Sequence, residues 1–349
     1  MANQNKFRVA LTADLFDCEG NIKGIGTGLS VFAGQPHIEC FTLEEDRPQI
    51  GADQLEGVQG VLVWAPSVQA ETVSRSENLL AISRLGVGYD KVDVQACTEA
   101  DVAVFITKGA VDRSMAEATV GWMLGLTHRV LIKDRLVRNG QWAESFNCIG
   151  QELRDRTFGS VGMGGIAREA IRLLSIFGMN RPLAFDPYLD ASAGKDLGVD
   201  MVNLDDLMKR ADFVSIHCPL TDQTRGLIGQ RQLALMKPNA YLINTARGGI
   251  VDEDALYDVL KSKQIAGAAI DTFVGEPITA PHRFGQFDNV MLAPHAIGVT
   301  DELLRDLGDA ASQAVLDLSL GRKPQRGIVN PEVFDRPGFQ KKWERLRDR

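Results

Sequence analysis

Cysteine is scarce in this 349-residue chain, and its arrangement excludes several kinds of protein. The five cysteines are odd in number, widely spaced and without a Cys-x-x-Cys pair: Cys18, Cys40, Cys97, Cys148 and Cys218. Because no Cys/His cluster has the spacing of zinc ligands, we expect no metal site. A few scattered thiols are typical of a reducing compartment, so we expect a cytoplasmic protein.

Long apolar runs and an excess of positive charge are also missing. No run approaches the roughly 18 apolar residues of a membrane span, and the first residues lack the apolar core of a signal peptide. The net charge of −8 argues against a nucleic-acid-binding or membrane-surface protein, since both need basic patches. The one dense basic stretch, Arg336 to Arg349, alternates with acidic residues and predicts a solvated terminal helix.

A glycine-rich turn is the strongest signal that the chain does contain. The stretch Ser160-Val161-Gly162-Met163-Gly164-Gly165-Ile166-Ala167 follows an apolar run and opens a segment with helical apolar spacing. Between a strand and a helix, G-x-G-x-x-G/A predicts dinucleotide binding. Gly162 permits the turn, Gly164 lets the backbone approach a diphosphate at the helix N-terminus, and the small Ala167 allows helix to pack on strand. An ordinary strand–helix turn is the alternative, since the chain has 34 glycines.

An acidic residue follows the glycine turn at the distance that a bound adenosine ribose requires. A second apolar run, Pro182 to Phe185, ends at Asp186, which is 19 residues after Ala167. The acid that binds this ribose is expected about 20 residues after the turn. A carboxylate there repels a 2′-phosphate, and Pro187 rather than an arginine comes next. We therefore predict NAD rather than NADP as the cofactor.

Short apolar runs alternate with helical or turn segments along most of the chain, which predicts α/β domains with parallel sheets. Residues 6–108 would form one sheet, and residues 152–295 a doubly wound dinucleotide-binding sheet of six strands. An amphipathic helix predicted from Ser114 to about Arg138 is long enough to bridge two lobes. The predicted strands are Phe7 to Leu11, Gly60 to Trp64, Leu80 to Arg84, Ala103 to Ile106, Thr157 to Val161, Pro182 to Phe185, Phe213 to His217, Tyr241 to Asn244, Ala266 to Ile270 and Val290 to Leu292, with a late helix from Asp301 to Leu320.

Side chains that could do chemistry follow several of these strands, where open α/β sheets hold ligands. His217 ends one predicted strand, His295 comes shortly after another, and Arg247 lies just past a third. An arginine there could clamp a carboxylate through a two-pronged pair. Asp271 or Glu276, beside a histidine, would fix its tautomer and favour its charged form. Structural roles stay open for each: a satisfied core histidine, an ion-pairing arginine, and a turn or N-cap carboxylate.

Together, these stretches resemble the D-isomer-specific 2-hydroxyacid dehydrogenase family, which includes hydroxypyruvate/glyoxylate reductase and phosphoglycerate dehydrogenase-like members. The resemblance covers roughly Leu80 to Gly327. The stretches that carry it are Arg84-Leu85-Gly86-Val87-Gly88-Tyr89-Asp90, Ser114-Met115-Ala116-Glu117, Gly162-x-Gly164-x-x-Ala167, Asp186, His217-Cys218-Pro219-Leu220, Asn244-Thr245-Ala246-Arg247-Gly248, Asp271-x-x-x-x-Glu276-Pro277 and Pro294-His295.

The resemblance implies a fold and an activity. The fold is α/β, with two Rossmann-like doubly wound domains, a cleft between them, and the first domain completed by the C-terminal segment. Residues 1–110 and 298–349 would form the substrate domain, and residues 111–297 the NAD-binding domain. The implied activity is NAD-dependent interconversion of a small 2-oxo acid and its D-2-hydroxy acid by hydride transfer, in a homodimer.

The resemblance also implies a role for each matching residue. Arg247 would bind the substrate carboxylate, His295 would be the acid and base, and Glu276 would be its partner. Val87 and Gly88 would offer backbone N–H groups to the same carboxylate. The implied cofactor-binding residues are Gly162, Gly164, Gly165, Ile166, Asp186, His217, Cys218, Pro219, Thr245, Ala246 and Asp271.

Two departures bear on the substrate, and two other functions stay open. Trp64-Ala65-Pro66-Ser67 stands where phosphoglycerate-type members carry an Arg-Ser pair, which argues against a phosphorylated substrate unless a basic group comes from elsewhere. Ile297 stands where small residues are usual, so it would narrow the substrate pocket or pack under the loop. The other functions are an NAD(H)-sensing co-repressor or scaffold on the same fold and a phosphite- or formate-type oxidoreductase. A pure binder has no need of Arg247, Glu276 and His295 together, so their joint presence favours the enzyme.

Overall fold

The computed structural model describes residues 6–16 and 28–347, so Cys18 lies outside the described residues. The chain divides into two compact units, the first made of Met1–Val111 with Val299–Arg349 and the second of Asp112–Gly298. Each unit contains one parallel sheet, which confirms the predicted α/β class. In the described ranges, no helix has both the length and the apolar character needed to cross a membrane.

The secondary structure of the described residues follows the predicted alternation. The strands are β1 (Phe7–Leu11), β2 (Ile38–Thr42), β3 (Gly60–Val63), β4 (Ala81–Arg84), β5 (Ala103–Ile106), β6 (Phe158–Val161), β7 (Leu183–Phe185), β8 (Asp200–Met201), β9 (Phe213–Ile216), β10 (Tyr241–Asn244), β11 (Gly267–Ile270) and β12 (Val290–Leu292). The α-helices are α1 (Val94–Glu99), α2 (Asp112–Thr127), α3 (Val130–Arg138), α4 (Gly165–Leu174), α5 (Leu204–Arg210), α6 (Gln230–Leu233), α7 (Glu253–Lys261), α8 (Asp301–Ser319) and α9 (Pro337–Arg347).

The first unit has a five-stranded sheet in the order β2-β1-β3-β4-β5, and all neighbouring strands are parallel. The central strands β3 and β4 are buried except for Arg84 at the end of β4, as expected where helices cover both faces of a parallel sheet. Helix α8 packs Ala311 and Val315 into this core. A Cβ atom on Gly60 would lie 2.8 Å from Val315 Cγ1, so glycine in β3 allows the helix to approach the sheet closely.

Helix α9 corrects the prediction of a solvated terminal helix, because one of its faces is buried in the first unit. Phe339 is fully buried, and the Trp343 indole donates a hydrogen bond to Leu318 O at 2.8 Å. The Lys342 ammonium donates to three backbone carbonyls, those of Leu79 (3.0 Å), Ala100 (3.1 Å) and Asp101 (3.0 Å). Burial lowers the pKa of Lys342 to about 8.

The second unit has a seven-stranded parallel sheet in the order β12-β11-β10-β9-β6-β7-β8. The chain starts at the central strand β6, builds outward through β7 and β8, and returns to build the other half from β9. This reversal is the switch point of a doubly wound fold, and the carboxyl ends of β6 and β9 meet there. The prediction of six strands missed β8, which is only two residues long.

The helix predicted from Ser114 to Arg138 is in fact two helices. Helix α2 ends at Thr127, and Arg129 adopts a left-handed φ of 53° before α3 begins. The returning chain accounts for the break, since Gln151 N–H donates to Thr127 O at 2.9 Å. A Cβ on Gly150 would lie 2.7 Å from the same oxygen. In a continued helix, the N–H group of the next turn would bind this carbonyl, but the 150–151 segment already lies beside it.

Candidate active site

The first two glycines of the turn between β6 and α4 have different surroundings. Gly162 has a φ of +97°, and a Cβ there would lie 2.7 Å from His217 O. Gly162 therefore allows both the left-handed conformation and the close approach of the β9 end. Gly164 precedes the first turn of α4 with an extended backbone, and a Cβ on it would meet no atom within 4 Å. The space beside Gly164 and the N-terminus of α4 suits a diphosphate.

Gly165, the third glycine of the turn, lies against the side chain of Asp112. A side chain on Gly165 would collide with the carboxylate of Asp112, the first residue of α2. The small size of Gly165 therefore serves the contact between α2 and α4. The open side of the turn is the side of Gly164.

The Asp186 carboxylate connects the end of β7 to the glycine turn. Its Oδ2 accepts a hydrogen bond from Met163 N–H and its Oδ1 accepts one from Tyr188 N–H, both at 3.0 Å. These two bonds fix the half-buried carboxylate beside the turn. A ribose hydroxyl beyond the diphosphate would find an oriented acceptor there.

At the end of β9, burial shifts the pKa values of a histidine and a thiol toward their uncharged forms. His217 Nε2 shares a hydrogen bond of 2.8 Å with Ser215 Oγ, and burial lowers the pKa of His217 to about 4. Burial raises the pKa of the Cys218 thiol to about 11. Cys218 and Pro219 therefore present an uncharged loop beside Gly162, which suits a wall of a cofactor groove.

The end of β10 is shaped by Asn244. Its Oδ1 accepts from Ala246 N–H at 3.1 Å, and its Nδ2 donates to Arg247 O at 3.0 Å. The first of these bonds is an Asx turn, which residue type alone could have indicated. Arg247 Nη1 donates to Ala246 O at 2.7 Å. Gly248 lies directly against the backbone of Phe273, so the β10 loop packs on the loop that follows β11.

A histidine–carboxylate pair lies beyond β11 and β12. His295 Nδ1 and Glu276 Oε2 are 2.7 Å apart, and Glu276 Oε1 accepts from Phe273 N–H at 2.7 Å. The His295 side chain is 43 % exposed. With Nδ1 engaged by the carboxylate, proton exchange with a ligand falls to Nε2. This is the arrangement of a general acid with an orienting partner.

Asp271 holds the chain that carries His295. Asp271 Oδ1 accepts from Ala296 N–H at 2.9 Å and from Ile297 N–H at 3.2 Å, while His295 N–H donates to Asp271 O at 2.8 Å. Burial raises the pKa of Asp271. His295 itself has a left-handed φ of 54°, a strained conformation for a non-glycine residue. The bonds to Asp271 fix this conformation and direct the histidine toward Glu276.

The second unit thus connects Asp271, Glu276 and His295 by hydrogen bonds and places Arg247 on the adjoining loop. Thr245 lies between Asn244 and Ala246 in that loop. Sequence reasoning missed the Phe273 N–H group, which orients Glu276, and Ser215, which engages His217. Backbone donors have no residue signature. Among the described residues, no group of three or more His, Cys, Asp and Glu side chains is placed to hold a metal ion.

Val87 and Gly88 lie in the first unit, in the loop that follows β4. Leu85 N–H donates to Val63 O at 2.8 Å, and Gly86 N–H donates to Thr107 Oγ1 at 3.0 Å. These bonds anchor the start of the loop between the ends of β3 and β5. The N–H groups of the next two residues follow this anchored start.

Comparison with known proteins identifies similar chains. Residues 120–296 match the family model described as "D-isomer specific 2-hydroxyacid dehydrogenase, NAD binding domain". The chain is 37 % identical to a glyoxylate reductase of Thermofilum pendens over 275 residues, 76 % of this chain and 79 % of that protein. It is 37 % identical to a hydroxypyruvate reductase of Thermotoga maritima, covering 70 % of this chain and 79 % of the relative. A glyoxylate reductase structure from Paecilomyes thermophila aligns with a TM-score of 0.76 and 26 % identity, covering 93 % of this chain and 98 % of the other.

Proposed function

This chain belongs to the D-isomer-specific 2-hydroxyacid dehydrogenase family, and we propose that it reduces a small 2-oxo acid to its D-2-hydroxy acid with His295 as the acid, Glu276 as its partner and Arg247 on the carboxylate. The family supplies the general activity: the protein is an NAD-dependent D-2-hydroxyacid dehydrogenase. The observation that carries the residue roles is the hydrogen-bonded chain from His295 through Glu276 to Phe273 N–H. A pure NAD(H) binder would not need such a chain.

The proton is handled by His295 and Glu276. NADH, when bound, supplies the hydride that adds to the carbonyl carbon of the 2-oxo acid. In the same reduction the His295 Nε2–H bond breaks and its proton goes to the carbonyl oxygen, which becomes the hydroxyl group. Glu276, held by Phe273 N–H, stabilises the charged histidine before the proton leaves. In the oxidation direction, His295 takes the proton back.

Arg247 of the second unit is proposed to bind the substrate carboxylate, and the N–H groups of Val87 and Gly88 in the first unit are proposed as donors to a substrate carboxylate. A guanidinium matches a carboxylate through two parallel hydrogen bonds. It would also stabilise the negative charge that develops on the neighbouring carbonyl oxygen. Asn244 supports this role, since its bond to Arg247 O fixes the backbone from which the guanidinium projects.

The residues at the carboxyl ends of β6, β7 and β9 fit NAD. The open space at Gly164 and the α4 N-terminus would hold the diphosphate, with Gly162, Gly165 and Ile166 in the same turn. Asp186, held by Met163 N–H, would accept the ribose hydroxyl groups and disfavour a 2′-phosphate. The loops proposed to line the rest of the groove contribute His217, Cys218, Pro219, Thr245, Ala246 and Asp271.

We also propose a homodimer that uses α3 and the 3₁₀ helix Trp142–Cys148. Helix α3 has no buried residue, and large apolar side chains are exposed on this segment: Val130 (51 %), Val137 (63 %), Trp142 (76 %), Phe146 (86 %) and Ile149 (74 %). Large exposed apolar side chains grouped in one short segment are typical of a protein–protein interface. Each aromatic side chain can bury about 150–250 Å², a large part of the roughly 800 Å² per partner in a standard interface.

The dimer is tested by sedimentation velocity. The Phe146→Glu variant should sediment as a monomer, while Ile176→Glu, at a residue that is 85 % exposed elsewhere in the same unit, should keep the wild-type behaviour. A Phe146→Glu protein that stays dimeric would exclude this surface.

The four described cysteines are free thiols, which supports the further proposal of a cytoplasmic location.

The catalytic proposal is tested by NADH oxidation with a panel of 2-oxo acids. The panel includes glyoxylate, pyruvate, hydroxypyruvate, phosphohydroxypyruvate and sulfonated analogues. The wild type should oxidise NADH with at least one small member, and His295→Ala should lower kcat by roughly 10²- to 10⁴-fold with NADH binding retained. His128→Ala, a change at an exposed histidine of the same unit, is the matched control. Equal turnover by His295→Ala would remove His295 from the mechanism.

A further inference from the structure

The Asp14 carboxylate occupies an unusual position in the first unit. Asp14 lies in a short 3₁₀ helix, Ala13–Leu15, directly after β1. Its Oδ2 accepts a hydrogen bond from Ala65 N–H at 2.7 Å. Its Oδ1 is buried and accepts no hydrogen bond from the described part of the chain. A buried carboxylate oxygen without a donor is costly, so the position calls for an explanation beyond folding.

The loop that Asp14 contacts has no backbone donor left for a ligand. Within Trp64–Ser67, Trp64 N–H donates to Thr12 Oγ1 at 3.3 Å and Ala65 N–H donates to Asp14. Pro66 has no N–H group, and Ser67 N–H donates to Pro48 O at 2.9 Å. Anions bind to proteins through such N–H groups and through cations. Here the Asp14 carboxylate already accepts the hydrogen bond of Ala65 N–H that a ligand anion would otherwise accept.

This loop lies beside the proposed carboxylate site in the same sheet. β3 pairs with β4 in register up to Val63 and Arg84, so the loop after β3 leaves the sheet next to the loop that contains Val87 and Gly88. Neighbouring strands are about 4.8 Å apart. β1 is the next strand beyond β3, which places Asp14 about two strand spacings, roughly 10 Å, from the β4 loop. The group that a 2-oxo acid carries on its third carbon can extend from the β4 loop toward Asp14, which brings it closer to Asp14 than this distance.

We propose that Asp14 is a specificity-determining residue that excludes 2-oxo acids with an anionic group at the far end. This inference rests on the proposed function, because it places the substrate carboxylate at Val87 and Gly88. The favoured substrates carry an uncharged group on the third carbon, as hydroxypyruvate does, or have no third carbon, as in glyoxylate. Phosphohydroxypyruvate and sulfopyruvate carry an extra negative charge, which Asp14 repels and for which Trp64–Ser67 offers no backbone donor.

Two cations of the described residues could act in the opposite direction: Arg84, whose guanidinium lies beside Gly86 and donates to Leu85 O at 2.9 Å, and Lys91. The Lys91 ammonium donates to Ala65 O at 3.3 Å, on the other side of the same peptide segment. Lys91 is exposed, so water screens its charge more than that of a partly buried carboxylate. We therefore expect the charge of Asp14 to determine the selectivity, and the Lys91→Ala variant tests the competing role.

The test compares kcat/KM for phosphohydroxypyruvate with kcat/KM for hydroxypyruvate in the wild type and in Asp14→Asn. Asparagine keeps an acceptor for Ala65 N–H but removes the charge. The ratio should rise at least roughly 10-fold, the effect of removing one charge within about 10 Å of a phosphate near a protein surface. Asp14→Ser removes the same charge with a smaller side chain and should shift the ratio in the same direction. Glu56→Gln, an exposed residue before β3 at the opposite edge of the sheet, is the charge-matched control and should leave the ratio unchanged.

Each outcome decides a different point. If hydroxypyruvate is reduced but the ratio is the same in the wild type, Asp14→Asn and Asp14→Ser, the inference about Asp14 is wrong while the proposed function stands. If the wild type prefers phosphohydroxypyruvate and Lys91→Ala abolishes that preference, Lys91 holds the distal anion and the inference is overturned. If the wild type reduces no 2-oxo acid, the proposed function fails and this inference fails with it.

Discussion

The Gly164→Ala substitution separates cofactor binding from folding. A methyl group on Gly164 would meet no heavy atom within 4 Å, and the φ of −77° is ordinary for alanine. The same change at Gly162 meets two obstacles, a φ of +97° and a contact of 2.7 Å with His217 O. The open space at Gly164 is where the proposed function places the diphosphate. The two variants should therefore fail in different ways.

The contributions to the free energy of unfolding of Gly164→Ala nearly cancel. Alanine loses less backbone entropy than glycine on folding, which stabilises by about 0.4–1 kcal/mol. Alanine is also a poorer N-cap than glycine, which costs about 1 kcal/mol. The net change should stay within ~1 kcal/mol, or a Tm shift of less than about 4 °C. Gly162→Ala should lose more, since the left-handed conformation alone costs about 1–3 kcal/mol before the backbone contact is counted.

The effect of Gly164→Ala on cofactor affinity should be much larger. The methyl group would move the diphosphate away from the N–H groups of the turn, and one hydrogen bond to a charged group is worth about 1.5–3 kcal/mol. Losing one such bond raises the Kd for NADH roughly 10- to 150-fold. Fluorescence titration with NADH and thermal melts of both variants give the two quantities. Unchanged NADH affinity in a folded Gly164→Ala protein would refute the placement of the diphosphate, and unfolding of that variant would refute the open space.

Three other substitutions test further parts of the structure. Asp186→Ala should relax the preference for NAD over NADP, measured as the ratio of kcat/KM values; negligible NADP use with unchanged NAD affinity would reject the ribose assignment. Glu276→Gln should lower kcat roughly 10- to 100-fold with little change in NADH affinity, because it removes the charge that stabilises protonated His295; wild-type turnover would show that the carboxylate has no part in catalysis. Lys342 has a folded pKa of about 8, below its ordinary 10.5, so the unfolded chain binds the proton more tightly and the stability contributed by this group increases as pH rises from about 8 to 10.5. The Tm of the wild type should therefore rise relative to that of Lys342→Met when the pH is raised from 7.5 to 9.5. An equal Tm difference at both pH values would contradict this reasoning. Lys341→Met, on an exposed neighbour, is the control.

Buried strands were predictable because their sequence signal does not depend on the rest of the fold. Phe7–Leu11, Ala103–Ile106, Tyr241–Asn244 and Val290–Leu292 have the predicted bounds. Most of their side chains are buried by the sheet and its covering helices, so a short apolar run between turn residues is sufficient evidence. The missed strand β2 (Ile38–Thr42) has no fully buried residue, and an edge strand of this kind has little apolar pattern to detect.

Helix boundaries depended on contacts that the local sequence does not contain. The apolar pattern continues past Thr127, so it predicted one helix to Arg138. The break follows from Gln151, 24 residues later, whose N–H group takes the Thr127 carbonyl. The terminal helix shows the same limitation, because the carbonyls that bind Lys342 belong to segments more than 200 residues earlier in the chain. Pattern and propensity describe a segment, whereas these features are decided by its partners.

The two histidines near strand ends differ in ways that their positions alone do not show, although the family resemblance had already given them different roles. On position alone, His217 and His295 are equal candidates for the acid and base. Burial holds the pKa of His217 at about 4, and Ser215 takes its Nε2, so this ring stays neutral near pH 7 and cannot alternate between charged and uncharged forms. His295 is 43 % exposed and paired through Nδ1 with a carboxylate, which leaves Nε2 to exchange a proton with a ligand. A histidine acting as acid and base must pass through both protonation states in each catalytic cycle, and of these two rings His295 fits that requirement, which supports its proposed role.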